Sequence, residues 1–445
     1  MQDYSKLLRD RSHKVGVWGA GFIGLSTMAH FARAGVESIA AEVSPSVVDS
    51  INMGEVETVG MREWLGFDLK PLVRDGLISA TLDHTRLLEP DVLVHFVCIP
   101  TEKDGKPFNP YLKDVFSKLG SLPESDPEKP PLVIIESTLT PGTADKVVLP
   151  MLKASGKKLG KDLLLGIAPR RDWFVDETKS LKDLDRVFGG HDPSTTEVMR
   201  GVLGIVCDQL HAASSHRTAE MVKSFENAYR HMEITLANQL SLAYPDDDIR
   251  EALQLVGTKW NIGTFYPGFG VGGYCIPLSS QYVIAGAEKP EELTILSDTL
   301  ETDEAINRHI AASLIKRGMR NVGVMGLAYK ANLKVSVLSP TVPFIDALQE
   351  AGVNTKLCDP YYNAAEIYQI SGVESFDFPE NVGEFDALVA VVDHDSFKHH
   401  DNALRTALKG CRFILDNHGI WSHLSQDFAA NGIEYHISGD SHWLG

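Results

Sequence analysis

The stretch VGVWGAGFIG, residues 15–24, decides how the rest of the chain is read. VGVW suits a buried strand, and the six residues after it place Gly19, Gly21 and Gly24 in the order G-x-G-x-x-G. Glycines so spaced permit a tight turn, close approach to a pyrophosphate and contact between helix and sheet, with a helix N-terminus facing the phosphates. An ordinary glycine turn has the same hexapeptide, so the surroundings matter. A helical pattern, LSTMAHFARAG, runs on to Gly35, and SIAAE (residues 38–42) reads as the next strand, ending in Glu42. A carboxylate there can hold the adenosine ribose hydroxyls and repels a 2′-phosphate, which favours NAD over NADP.

Outward from this unit the same alternation continues. DVLVHFVCIP (91–100), LVIIEST (132–138) and LLLGIAP (163–169) are short apolar runs bounded by turn residues, as expected of a parallel, doubly wound sheet. SLPESDPEKPP (121–131) reads as a proline-rich surface loop. Near residue 205 the character changes. Residues 217–243 keep helical periodicity without Gly or Pro, and a second long helix is expected over 291–317. NVGVMGLAYK (321–330) then restarts the strand–turn–helix theme, followed by strand candidates NTKLCDP, DALVAVVDH and CRFILD. The expected fold class is α/β: two Rossmann-like doubly wound parallel sheets joined by an all-helical middle. The boundaries expected are 1–205, 206–318 and 319–445, with a homodimer formed through the central helices.

Bulk properties narrow the function. With 42 Lys and Arg against 60 Asp and Glu, the net charge of −18 argues against nucleic acid or an anionic membrane as a partner. It does not exclude a small anionic substrate, because a few cations and helix N-termini reverse the field locally. Five scattered cysteines without a CxxC pair suggest neither a disulfide framework nor a zinc ribbon, and no metal is expected. No apolar run approaches membrane-spanning length, so a reduced, cytoplasmic location is expected.

Three side chains stand out for chemistry. Lys223 and Asn227 are four apart on a predicted helix and share one face. An ammonium beside a carboxamide can stabilise an alkoxide as hydride leaves its carbon; a solvated surface lysine is the plain alternative. In GFGVGGYCIPLSS (268–280) a glycine run lets backbone approach a ligand, and the thiol of Cys275 could add to an aldehyde. A small buried hydrophobe reads equally well there.

Resemblance separates these readings. GAGFIG, CIPT (98–101), ESTLTPGT (136–143), AEMVKSFENAYR (219–230), GTKWN…FYPGFGVGGYCIP (257–277) and GLAYK (326–330), in this order, resemble the UDP-glucose/GDP-mannose dehydrogenase superfamily, and GTKWN is most similar to its UDP-N-acetylhexosamine 6-dehydrogenase branch. The resemblance implies two-step oxidation of a nucleotide-sugar primary alcohol with NAD. Cys275 is then the thiol that traps the aldehyde, Lys223 and Asn227 stabilise oxyanions, and Thr138 places water or the substrate oxygen. Gly19, Ala20, Gly21, Phe22, Ile23, Gly24, Glu42, Pro100, Thr101 and Thr138 border NAD. Tyr266, Gly270, Gly272, Lys330 and His418 line the nucleotide sugar.

The chain departs from the family pattern where the chemistry lies. Arg170 stands for the glutamate of S-P-E, Ser279 for the aspartate four residues after the cysteine, and Tyr274 for a histidine. Lys334 and Val335 replace an acidic pair, Val337 and His418 replace arginines. Losing a general base costs roughly a hundred- to ten-thousand-fold in rate, so a single oxidation that stops short of the acid is one expectation. Asp172 or Glu177 are the stand-in bases to consider. Arg170 and Arg171 could instead clamp a phosphate or carboxylate, as in a hydroxyacid-type NAD dehydrogenase that uses Lys223 and Asn227 without a thiol. A third reading is an inactive protein that only binds NAD or a nucleotide.

Overall fold

The computed structural model describes residues 2–56, 61–124, 126–172, 180–408 and 410–444, the side chains at 63 and 407 excepted. By its internal contacts the chain divides into two compact units, Met1–Glu226 with Gln281–Pro290, and Asn227–Ser280 with Glu291–Gly445.

The first unit is built on an eight-stranded sheet of β1 (Lys14–Trp18), β2 (Ser38–Ala41), β3 (Ile78–Thr81), β4 (Val92–Val97), β5 (Leu132–Ile135), β6 (Leu164–Ile167), β7 (Arg186–Gly190) and β8 (Leu210–Ala212). Their order is β8-β7-β6-β5-β4-β1-β2-β3. Strands β1 to β6 run parallel, and β7 pairs antiparallel to β6. The apolar runs are continuous rather than alternating because each face of the sheet has its own core. Leu132, Ile134 and Leu164 enter one cluster with Val15, Val17 and Phe31, whereas Val133, Ile135, Leu163 and Leu165 enter another with Phe116 and Leu152. Between β1 and β2 lies α1 (Phe22–Arg33).

Two long helices mark the middle of the chain: α2 (His216–Ala243), within which the two units divide, and α5 (Thr294–Lys316). Between them come α3 (Ile249–Val256) and α4 (Ile276–Gly286). The expected start of the second helix, near 291, is a short 3₁₀ turn at Pro290–Glu292 instead.

The second unit carries a six-stranded parallel sheet of β9 (Asn321–Met325), β10 (Asn354–Cys358), β11 (Glu374–Ser375), β12 (Ala387–Ala390), β13 (Phe413–Asp416) and β14 (Glu434–Ile437), ordered β11-β10-β9-β12-β13-β14. Again the two faces are packed separately, Val322, Val324 and Val389 on one side and Met325, Leu388 and Ile414 on the other. Helix α6 (Thr341–Glu350) connects β9 to β10. In both sheets the order reverses beside the first strand of the set, between β1 and β4 and between β9 and β12. Ligands of such sheets sit at the carboxyl ends of the strands at that point.

Candidate active site

In the first unit the turn after β1 is shaped by its glycines. Gly19 has φ +86°, and its amide donates to the Ala41 carbonyl at 2.9 Å. A Cβ at Gly24 would lie 1.8 Å from the Gly19 carbonyl oxygen, so only glycine lets the helix start this close to the strand. A Cβ at Gly21, the N-cap of α1, would meet nothing within 4 Å, and that face of the turn is open to a ligand. Glu42 closes the other side: its Oε2 accepts from the Ala20 amide at 2.8 Å, and its Oε1 from Val43 and Ser44. Phe22 and Ile23 open α1. Pro100 and Thr101 follow β4, and the Thr101 hydroxyl donates to the carbonyl of Thr138 beyond β5. This open, amide-lined turn with a carboxylate after β2 fits a dinucleotide.

Arg170 and Asp172, just beyond β6, require a correction. Arg170 does not extend toward a ligand. It is buried and all five of its N–H groups are used: Nε and Nη2 donate to the Asp172 carboxylate at 2.6 and 2.7 Å, Nη2 also to Ser26, and Nη1 to Thr27 and the Ile23 carbonyl. No donor remains for a substrate clamp. Glu136, at the end of β5, lies 3.7 Å from Nη1 and pairs with Arg186 on β7, so two buried arginines and two buried carboxylates form a neutral cluster behind α1. Burial acts to raise the Asp172 pKa, but the Arg170 guanidinium, helped by Arg186 and a backbone N–H, more than offsets it and holds the carboxyl below its ordinary value. A carboxylate so held is a poor proton acceptor. Glu177 lies outside the described residues.

Arg171 is differently placed. Its Nε donates to Glu226 at 2.7 Å, and the other oxygen of Glu226 takes the Lys223 ammonium at 3.1 Å. Glu226 therefore sets the position of Lys223. The sequence reading missed it, although its i, i+3 spacing from Lys223 on one helix is a recognisable signal.

The second unit gathers the other group. Asn227, one turn beyond Lys223 on α2, directs its Nδ2 to the Ser279 hydroxyl at 3.1 Å and to the Cys275 carbonyl at 3.4 Å. Cys275 is exposed and immediately precedes α4. The glycine run before it is packed too tightly for side chains. Cβ atoms at Gly272 and Gly273 would lie 2.5 Å and 2.8 Å from Tyr329, and one at Gly270 2.6 Å from Asp303. The loop thus rests on Tyr329, whose hydroxyl is pushed up by burial and further by Cys275 and Tyr274. Lys330 follows Tyr329. Burial lowers its ammonium pKa and Arg230 lowers it further, against Asp393. His418 stands 4.0 Å from Asp393. Tyr266 is held under the Arg250 guanidinium, 4.4 Å from ring centre.

Comparisons with known proteins agree with this architecture. Residues 13–204 match the NAD binding domain of the UDP-glucose/GDP-mannose dehydrogenase family, 217–308 its central domain and 323–423 its UDP binding domain. The chain belongs to that family. It is accordingly an NAD-dependent dehydrogenase of nucleotide-sugar CH–OH groups. It is 27% identical to a UDP-N-acetyl-D-mannosamine dehydrogenase of Methanocaldococcus jannaschii, over 96% of each chain. Identity to a UDP-N-acetyl-D-glucosamine 6-dehydrogenase of Pseudomonas aeruginosa is 26%, over 87% of this chain and 92% of the other. The structure of a UDP-D-ManNAc dehydrogenase from Pyrococcus horikoshii superposes with a TM-score of 0.83 at 24% identity, over 96% of this chain and all of that one, and shows the same fold. No helix among the described residues is long and apolar enough to cross a membrane.

Proposed function

We propose that this dehydrogenase oxidises the C6 primary alcohol of a UDP-hexose or UDP-N-acetylhexosamine to the aldehyde, which Cys275 captures as a thiohemiacetal, and that it stops short of the free acid. The observation that carries the reading is the closed Arg170–Asp172 pair. The position expected to hold a hydrolytic base holds a cation instead, and the carboxylate beside it is committed to that cation. NAD, when bound, supplies the hydride acceptor. The turn of Gly19, Ala20, Gly21, Phe22, Ile23 and Gly24, with Glu42, Pro100 and Thr101, holds it. Lys223 stabilises the alkoxide formed as the alcohol proton passes to solvent water, Thr138 orients the substrate oxygen, and Asn227 steadies the Cys275 backbone. Lys330, His418, Tyr266 and the glycines at 270 and 272 take the nucleotide diphosphate and sugar.

The substrate class is supported by the relatives named above, the product by this chain's own residues. A hydroxyacid-type reading needs Arg170 or Arg171 as a carboxylate clamp; Arg170 has no free donor, and Arg171 is turned to Glu226 and the Asp185 carbonyl. Phe225, Tyr229 and Leu236 form an exposed apolar stripe on α2, which supports a homodimer through this helix, and five unpaired cysteines suit a cytoplasmic location.

The test is a panel of nucleotide sugars with NAD, following NADH and product mass together. One NADH per substrate consumed, with an aldehyde-level mass, is expected; two NADH and a carboxylate overturn the proposed product. Cys275→Ala should abolish capture of the aldehyde, detected as loss of the protein–substrate adduct by mass spectrometry.

A further inference from the structure

The segment from Gly268 to Ser280 presents Cys275, and it is fastened along its length by buried polar side chains. Asn238 Oδ1 accepts from the Gly268 amide at 2.8 Å, and Asp303 Oδ1 accepts from the Val271 amide at 3.0 Å. At the far end Ser279 is held by Asn227, and Ser280 Oγ lies 2.9 Å from His231 Nδ1. Asn227, His231 and Asn238 share one face of α2, at i, i+4 and i+11. The Ser279 hydroxyl in turn donates to the Cys275 carbonyl at 2.6 Å, so these contacts reach the residue that carries the thiol.

One member of this set touches two anchors. His231 and Ser280 are fully buried, and the second ring nitrogen of His231, Nε2, has no hydrogen-bond partner and faces Asp303 Oδ2 at 3.5 Å. A buried ring nitrogen opposite a carboxylate is favoured as the one that carries the proton, which leaves Nδ1 to accept from the Ser280 hydroxyl. The relay Ser280–His231–Asp303 then joins the first turn of α4 to the middle of the glycine run. Phe269 anchors the start of the run in the core against Phe344, but Gly270, Gly272 and Gly273 carry no side chains, and Gly270 sits at φ +94°, so the shape of the run beyond Phe269 depends strongly on these outside contacts.

We propose that His231 is a positioning residue: by bridging Ser280 and Asp303 it holds the two sides of the glycine loop in one geometry and so fixes where the Cys275 sulfur is presented. The proposal rests on the reading of Cys275 as the reactive thiol for its catalytic consequence, though not for its structural one. Misplacing a reacting group by about an ångström costs up to about a hundredfold in rate.

The two arms can be cut separately. His231→Asn keeps a polar atom near Ser280 and loses reach to Asp303; His231→Gln reaches toward Asp303 and loses Ser280. For both, amide hydrogen exchange over residues 268–280 should speed up about tenfold, while the strands of the six-stranded sheet keep their protection. The kcat should fall about tenfold or more with the KM for NAD and for the nucleotide sugar within about twofold. If either variant fails to fold, Asp303→Asn, on the more exposed side of the relay, gives the same readouts. Unchanged loop exchange in all folded variants overturns the proposal. So does faster exchange that spreads evenly over the whole unit, because His231 would then be a general core residue. Cys275→Ala separates the two claims: wild-type turnover in that variant removes the thiol's role, while the exchange data still judge His231.

Discussion

The two sheets solve one geometric problem with the same device and then part. In each, a carboxylate just after the second strand ties down the turn after the first: Glu42 takes the Ala20 amide, and Asp359 Oδ2 takes the amides of Leu327 and Ala328 at 2.7 and 2.9 Å. Each turn also begins with a glycine at positive φ, Gly19 at +86° and Gly326 at +100°. The surroundings of the carboxylates differ. Glu42 is half-buried and lies at an open edge, as a ribose requires. Asp359 is buried, its Oδ2 also faces His394 Nε2 at 3.1 Å, and its Oδ1 accepts from Tyr361. The chain beyond each turn takes a different course as well. After Gly19 the helix starts at Phe22 and offers amides to phosphates. After Gly326 the chain runs through a loop before α6 begins at Thr341, and the charge there comes from side chains, Lys330 with Arg230 and Asp393 near it. One topology therefore yields an amide-lined turn in one place and a turn flanked by charged side chains in the other, and the position of the helix start decides which.

Breaking the support behind each turn should show the largest effect. Arg170→Glu sets a third carboxylate beside Asp172 and Glu136 and leaves Asp172 buried without its cation, while Glu136 keeps Arg186. Removing one partner of a buried ion pair costs about 3–5 kcal/mol, and urea unfolding should show a loss of that size. A smaller loss would mean that the cluster behind α1 is better hydrated than its burial indicates.

Exchanging the glycines tests whether each turn serves one ligand. Gly24→Ala forces a carbon against the Gly19 carbonyl and should weaken NAD about a hundredfold or more, roughly 2.7 kcal/mol, leaving the affinity for UDP unchanged. Gly326→Ala brings a Cβ to 2.4 Å from Val392 at a φ that L-residues avoid, and should do the reverse. Calorimetric titration with each ligand reads both. Equal losses of both ligands in either variant would sink the comparison.

Asp359→Asn is expected to cost about 2 kcal/mol, because with Oδ2 kept the new amide nitrogen faces the Tyr361 N–H. Burial acts to raise the pKa of Asp359, but the His394 bond and backbone amides more than offset it, so the folded value is below the ordinary one. Its contribution is fully present above the unfolded carboxylate value near 4 and is lost as pH falls through the lower folded value. The gap in stability between wild type and variant should thus close on acidification below about pH 4.

Much of this was legible in the sequence because its causes are local. Gly19 is required by its φ and Gly24 by close approach within ten residues, and LVII is apolar throughout because both faces of its strand are covered. Helix α2 begins within one residue of expectation, since nothing in 217–243 interrupts its periodicity. The role of Arg170 was not legible. Asp172 is only two residues away, but Ser26 and Thr27 on α1 and Glu136 after β5 are distant in the sequence, and only the fold brings them to the guanidinium. The short strands Ile78–Thr81, Arg186–Gly190 and Leu210–Ala212 escaped for a related reason: they are held by neighbours in the sheet rather than by composition of their own. Cys275 lies between these cases. Its exposure follows from its place before α4, and the ties that hold it, from Asn227, His231 and Asp303, arrive from distant helices.

The smallest expected effect bears most directly on the open edge of the first turn. Glu42→Gln removes a negative charge that a 2′-phosphate would meet, and the neutral amide can still accept from the Ala20 N–H. Because the side chain is only half-buried it can turn to avoid facing the Val43 and Ser44 amides with its own nitrogen, and stability should change by less than about 1 kcal/mol. Selectivity should change more: the preference for NAD over NADP, taken as the ratio of kcat/KM values, should fall about tenfold, roughly 1.4 kcal/mol of discrimination. Asp359→Asn offers the contrast, with a larger loss of stability and no change in that ratio. If Glu42→Gln left the ratio intact, the carboxylate would serve the fold alone, as its counterpart does, and the two sheets would differ only in where their helices begin.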